Sequence, residues 1–193
     1  MLHSLYFTLL MKHRQIKPRN NNENCLINFR APRGFQGHSN RRLKVYVDLE
    51  NACGGSIQVQ QNQKQIQRTI LRIRECFTTQ VTYSVGPNAI STCPELIWDW
   101  SFARFLPARG IDGADLALLA AIKSEPFRQG MDKLILVSGD HIFADEVSAL
   151  TAIGIHTTVI SQQHALSTQL LKAAIDIQYL PEFSQPETER RTA

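Results

Sequence analysis

From residue 43 to about residue 181, short apolar runs alternate with longer stretches in which apolar residues return every three or four positions. Leu43 to Asp48, Val81 to Val85, Phe102 to Leu106, Lys133 to Val137, His156 to Ile160 and Ile177 to Leu180 read as strands. They are short, apolar or alternating, and bounded by turn residues such as Gly86-Pro87-Asn88. Between them, Ile66, Ile70, Ile73 and Phe77 recur at helical spacing and predict a helix over Gln63 to Phe77. Ser91 to Trp100, carrying Trp98, reads as a short helix, and Ala114 to Ser124 as an apolar one that stops before Pro126. Phe143 to Ile153 reads as a helix closed by Gly154, and Ser167 to Ala174 as the last. Such alternation predicts an α/β fold: a mostly parallel sheet with helices on both faces and right-handed crossovers.

Two of these strands stop at a carboxylate. Val45-Tyr46-Val47 ends at Asp48, with Asn51 three residues on; Leu134-Ile135-Leu136-Val137 ends at Ser138-Gly139-Asp140. Parallel strands that both end in Asp can bring those groups together at the carboxyl edge, where open α/β sheets place their sites. Paired carboxylates suit Mg²⁺ or Mn²⁺, which prefer hard oxygen ligands. Asp112 and Asp115 open the helix at Ala114, and Asp145 follows Asp140 by about a helical turn. Each acid has a plainer explanation as a helix cap or a first-turn charge. Ser138 can hydrogen-bond a carboxylate or a phosphate, Gly139 permits close approach of a ligand, and His141 either faces the cleft or simply starts a helix.

Charge is unevenly spread. Residues 1–44 carry nine Lys or Arg against one acid, and residues 45–193 carry twelve against sixteen, so the net +4 conceals a basic start and a mildly acidic body. Residues 1–42 are polar and turn-rich and are expected to form a disordered extension, either passive or a basic arm with nonspecific attraction for a polyanion. The domain is expected over 43–183 and a polar tail over 184–193. Lys64, Arg68 and Arg72 form a basic stripe opposite the apolar face of their helix, either solvated or in contact with phosphate. The four cysteines, at 25, 53, 76 and 93, fit no zinc spacing and read as reduced thiols of a cytoplasmic protein. No run is long enough to span a membrane, and Leu5 to Met11 lacks the flanks of a signal peptide.

Val47-Asp48-Leu49-Glu50-Asn51 resembles the opening motif of NYN domains, part of the PIN-like nuclease superfamily. Gly113-Ala114-Asp115-Leu116-Ala117-Leu118-Leu119 is similar to the family's second acidic motif, and Leu136-Val137-Ser138-Gly139-Asp140 to its third. The resemblance covers about residues 43–181. It implies a Rossmann-like fold, hydrolysis of RNA phosphodiesters, and Mg²⁺ or Mn²⁺ held by Asp48, Asp115 and Asp140 with Asn51 in support. Gly110-Ile111-Asp112 matches the family's Gly-Val-Asp form equally well, so Asp112 competes with Asp115. Most members carry a further Asp at the position of Ile142; Asp145 is the candidate to compensate by orienting water.

Three functions follow as expectations. The first is a metal-dependent ribonuclease, with Asp48, Asp115, Asp140 and Asp145 catalytic and with Asn51, Ser138, Lys64, Arg68 and Arg72 contacting RNA. The second is a nuclease-fold module that binds RNA or assembles with protein without cutting, which Ile142 favours. The third is a nucleotide-binding domain, supported only by Gly54-Gly55, since neither a G-x-G-x-x-G nor a P-loop lysine is present. Homo-oligomerisation is compatible with all three.

Overall fold

The computed structural model of the protein describes residues 42–76, 78–110 and 112–183. The polar tail assigned to 184–193, Cys25, and all of the basic extension except Arg42 lie outside the described residues. Six strands form one sheet: β1 (Arg42–Asp48), β2 (Thr79–Val85), β3 (Arg104–Pro107), β4 (Asp132–Val137), β5 (His156–Ser161) and β6 (Asp176–Tyr179). Their order is β3-β2-β1-β4-β5-β6, and every neighbouring pair is parallel. The chain builds outward from β1 through β2 to β3, then returns to build the other half from β4. The direction of winding therefore reverses between β1 and β4, and it is above the carboxyl ends at such a reversal that open α/β sheets place their sites.

Helices α1 (Leu49–Cys53), α2 (Val59–Cys76), α3 (Pro87–Thr92), α4 (Leu96–Asp99), α5 (Gly113–Ser124), α6 (Ala144–Ala152) and α7 (Thr168–Ala173) form the crossovers. Strand alternation divides the core in two. Leu43, Val45 and Val47 of β1 face one side with Ile66, Ile70 and Ile73 of α2; Tyr46 faces the other, with Leu118 and Ile122 of α5 and Val147 of α6. Asp48 has the same parity as Tyr46 and so faces the α5 side.

Several elements differ from the sequence expectation for identifiable reasons. The helix expected from Gln63 begins at Val59, which is buried on the same face as Gln63 and Ile66, although Gln60 and Gln61 hide that first turn. The single helix expected over Ser91 to Trp100 is two, α3 and α4, broken at Cys93 ahead of Pro94, because a residue before proline is pushed out of the helical region. The helix after Asp140 opens with a 3₁₀ turn over His141–Phe143, and α1 directly behind Asp48 was not foreseen. Gly154 closes α6 as expected: it has φ 83°, its N–H bonds the Thr151 carbonyl, and the Ile155 N–H bonds the Leu150 carbonyl.

Two basic residues counted with the N-terminal charge belong to the domain. Arg42 lies in β1, where its guanidinium donates to both oxygens of Asp132 at 2.9 and 3.1 Å. Lys44 is buried and pairs with Glu125, which also accepts from the Tyr46 hydroxyl at 3.1 Å. The buried Lys44 charge is not available to a polyanion. Cys53 and Cys93 are buried free thiols. Among the described residues no helix is long and apolar enough to cross a membrane.

Candidate active site at the carboxyl edge

Parallel register sets the centre of the site. Val47 pairs with Val137, which brings Asp48 level with Ser138 on the adjoining strand end. The Ser138 hydroxyl donates to Asp48 Oδ2 at 2.9 Å and accepts from the Asp140 N–H at 3.2 Å. Asp48 Oδ1 accepts from the Asn51 N–H at 3.2 Å, which caps α1. The Asn51 side-chain carbonyl in turn accepts from the Gly139 N–H at 2.8 Å. This loop of bonds ties the end of β1 to the end of β4.

Asp115, in the first turn of α5, completes the centre. Its carboxyl neighbours that of Asp48, and each acts on the other's titration. Burial pushes the Asp48 carboxyl well above the usual carboxylate range, and the Asp115 charge pushes it further, against the bonds from Asn51 and Ser138. Burial also raises Asp115, as do the charges of Asp140 and Asp112. Like charges near one another in a buried place disfavour ionisation of both, which is why both carboxyls are raised.

The expected triad of Asp48, Asp115 and Asp140 is thus electrostatically connected, but its members are not equivalent. Asp140 is half-exposed; its Oδ1 accepts from the Ile142 N–H at 2.9 Å and lies 2.9 Å from His141 Nδ1. It acts on the pair through its charge while capping the 3₁₀ turn. Asp112 and Asp115 are placed differently. Asp112 sits at the N-cap of α5 with φ 55°, makes no capping side-chain bond, and lies at the rim. Glu50, which the sequence reading left out, also belongs here. Its carboxylate lies against Gly86, just past the end of β2, and its carboxyl is raised by burial and then by Asp115. Its signal was present two residues after Asp48, within the same motif.

Other expected residues are placed elsewhere. Ser138 is fully buried and orients Asp48, so it is a positioning residue and not a substrate contact. Asn51 likewise spends its carbonyl on Gly139. Asp145 is exposed on the first turn of α6 and is not among the charges acting on Asp115. Ile142 packs against the apolar cluster of the α5–α6 side, where a carboxylate would be buried without compensation. Gly139 serves packing and not a ligand: a Cβ there would run into the Ala165 carbonyl and the Ser161 hydroxyl. Lys64, Arg68 and Arg72 lie on α2, which leads from the carboxyl edge back to the start of β2. The stripe therefore runs away from the acids, and Lys64 is paired with Asp99 at 3.6 Å.

An all-parallel sheet with carboxylates at its switch point defines the general class. In fold the chain is similar to the crystal structure of a protein of unknown function from Vibrio parahaemolyticus, with TM-score 0.51 and 17% identity over 74% of this chain and 94% of that one. That likeness concerns the fold alone. No family model matches the chain, and no curated protein matches it.

Proposed function

We propose that the protein is a metal-dependent ribonuclease of the NYN type, within the PIN-like superfamily. The observation that carries this reading is the Asp48–Asp115 pair. Two carboxyls, both raised, meet at the switch point, and the other side-chain charges that raise Asp115, those of Asp140 and Asp112, are negative too. An uncompensated carboxylate pair is costly to the fold and suits a cation. The donors are hard oxygens, which fit Mg²⁺ or Mn²⁺. Among the described residues no three His, Cys, Asp or Glu side chains enclose one point. Mg²⁺ is commonly held by one or two carboxylates, with water and substrate phosphate filling the rest, so Asp48 and Asp115 would hold it and Asp140 would support it by charge. Such an ion, when bound, neutralises phosphate charge and makes water more acidic. The chain itself orients Asp48 through Ser138 and Asn51, and Glu50 extends the negative rim.

The test is cleavage of single-stranded RNA with Mn²⁺ by wild type and by Asp115→Asn. Loss of cleavage in the variant is expected, and equal cleavage by both would remove the proposal. Ser138→Ala gives a finer check. It takes from Asp48 an oriented hydroxyl donor, the kind of supporting contact whose loss costs roughly 10- to 100-fold. The variant should fold and cleave more slowly within that range; an unchanged rate would mean that Asp48 needs no such orientation.

The second reading, a module that binds without cutting, is favoured by Ile142 in the apolar cluster and by the occupation of Asp140 Oδ1. Calorimetric titration with Mn²⁺ separates the two. Absence of binding at millimolar ion, with RNA still bound, would favour the module.

A further inference from the structure

Beside the acidic centre lies a cavity of about 390 Å³, lined by Gln162, Gln163, His164, Tyr179, Leu180 and Glu182. It sits over the carboxyl ends of β5 and β6. Its size falls in the roughly 300–1,000 Å³ range of small-molecule sites. Two contacts join its wall to the acidic centre. Gln162 Nε2 donates to the Ala52 carbonyl of α1, the helix that Asp48 caps, at 3.0 Å. The turn over Gln163–Ala165 rests on Gly139, next to Asp140, and the Ser167 N–H bonds the Gly139 carbonyl at 2.9 Å.

We propose that this cavity is a nucleoside subsite, which takes the base and ribose of one RNA nucleotide next to the acidic centre. The choice of RNA as the source of that nucleotide rests on the function proposed above. The lining supplies the chemistry that a nucleoside needs. Tyr179 is 47% exposed at the end of β6 and presents a ring for a base to stack on. The exposed Gln163 amide both donates and accepts, so it can match the edge of a base, and His164 adds a second polar ring. Glu182 accepts hydrogen bonds and suits the ribose hydroxyls, the groups by which a protein distinguishes RNA from DNA. Its carboxylate disfavours a phosphate in the cavity itself, which suits the site to the uncharged base and ribose. The wall is held in place: Leu180 is buried, its N–H bonds the Ser161 carbonyl at 2.8 Å, and Phe183 packs against the core.

The test uses the full chain in EDTA, with adenosine and 2′-deoxyadenosine as probes and calorimetry as the readout. Saturable binding is expected, tighter for adenosine. Tyr179→Ala should weaken adenosine at least about five-fold, the lower end of what base stacking contributes. Glu182→Gln should bring the two nucleosides to similar affinity. Should Tyr179→Ala fail to fold, Gln163→Ala on the exposed turn takes its place, with weaker adenosine binding expected. No saturable adenosine binding, or a folded Tyr179→Ala variant that binds like wild type, overturns the subsite. Metal is absent throughout, so the result is independent of the acidic pair. A protein that binds adenosine but cuts no RNA keeps the subsite and loses the nuclease. One that cuts RNA with the same KM in Tyr179→Ala keeps the nuclease and loses the subsite.

Discussion

Asp115→Asn is expected to stabilise the metal-free protein at neutral pH and to remove most of the stabilisation that Mn²⁺ confers on wild type. The first half follows from linkage. Asp48 and Asp115 both titrate above their ordinary range, so the folded state binds more protons than the unfolded chain once pH exceeds about 4. Stability is then greatest below that pH and is lost as pH rises through the raised values. The variant replaces one of the two charges by an amide that can donate to Asp48, so its pH dependence should be flatter. Each pKa unit corresponds to about 1.4 kcal/mol, reduced by solvent at half-exposed Asp115, so a gain of the order of 1 kcal/mol is expected. That amounts to roughly 2–4 °C in melting temperature for a domain of this size.

The second half follows from mass action. Mn²⁺ at about 100 times its Kd stabilises the folded form by about 2.7 kcal/mol, or roughly 5–10 °C. Asp115→Asn should retain little of that rise. Thermal melting of both proteins from pH 4 to 8, with EDTA and then with Mn²⁺, reads every term. A wild type that gains stability with rising pH in EDTA, or ignores Mn²⁺, would refute this account of the pair.

Trp100→Ala should cost about 3–5 kcal/mol, whereas Trp98→Ala should stay within about 0.5 kcal/mol. Trp100 is fully buried and Trp98 is 79% exposed, although the two are separated by a single residue. The Trp100 ring lies 5.2 Å from Tyr83 and 5.5 Å from Phe102, and its indole Nε1 donates to Gln63 Oε1 at 3.0 Å. Truncation would leave a large cavity and deprive buried Gln63 of a partner. Gln63 also donates to Asp99 at 2.8 Å, so the loss would loosen the seat of α4 against α2. Denaturant unfolding of the two variants settles the comparison, and equal destabilisation would show that the core is not anchored where the structure puts it.

Much of the fold was legible in the sequence because its signals are local. Hydrophobic period marked every strand, Gly154 marked the end of α6, and the strand–helix alternation implied a parallel sheet. Asp48 and Asp140 were legible as site candidates for the same reason: Asp48 follows an apolar run directly, and Asp140 follows one after Ser138-Gly139. Boundaries failed where a local signal was masked, as by the glutamines at the start of α2, or split by Pro94 between α3 and α4.

What tertiary structure alone decided was which distant groups meet. The parallel register of β1 on β4 put Ser138 against Asp48, and this turned a plausible substrate contact into a buried positioning residue. The seat of α5 on the sheet puts Asp115, and not Asp112, beside Asp48, since residues three apart in sequence differ in which one the helix turns toward it. Glu50 joined the acids because the chain leaving β2 at Gly86 runs against its carboxylate. The cavity between Gln163 and Tyr179 exists only because β5 and β6 pair and Gly139 lets the intervening turn come close. Periodicity along a chain determines which face of an element is buried. The identity of the group opposite it depends on register and packing between segments many residues apart, and no local pattern carries that.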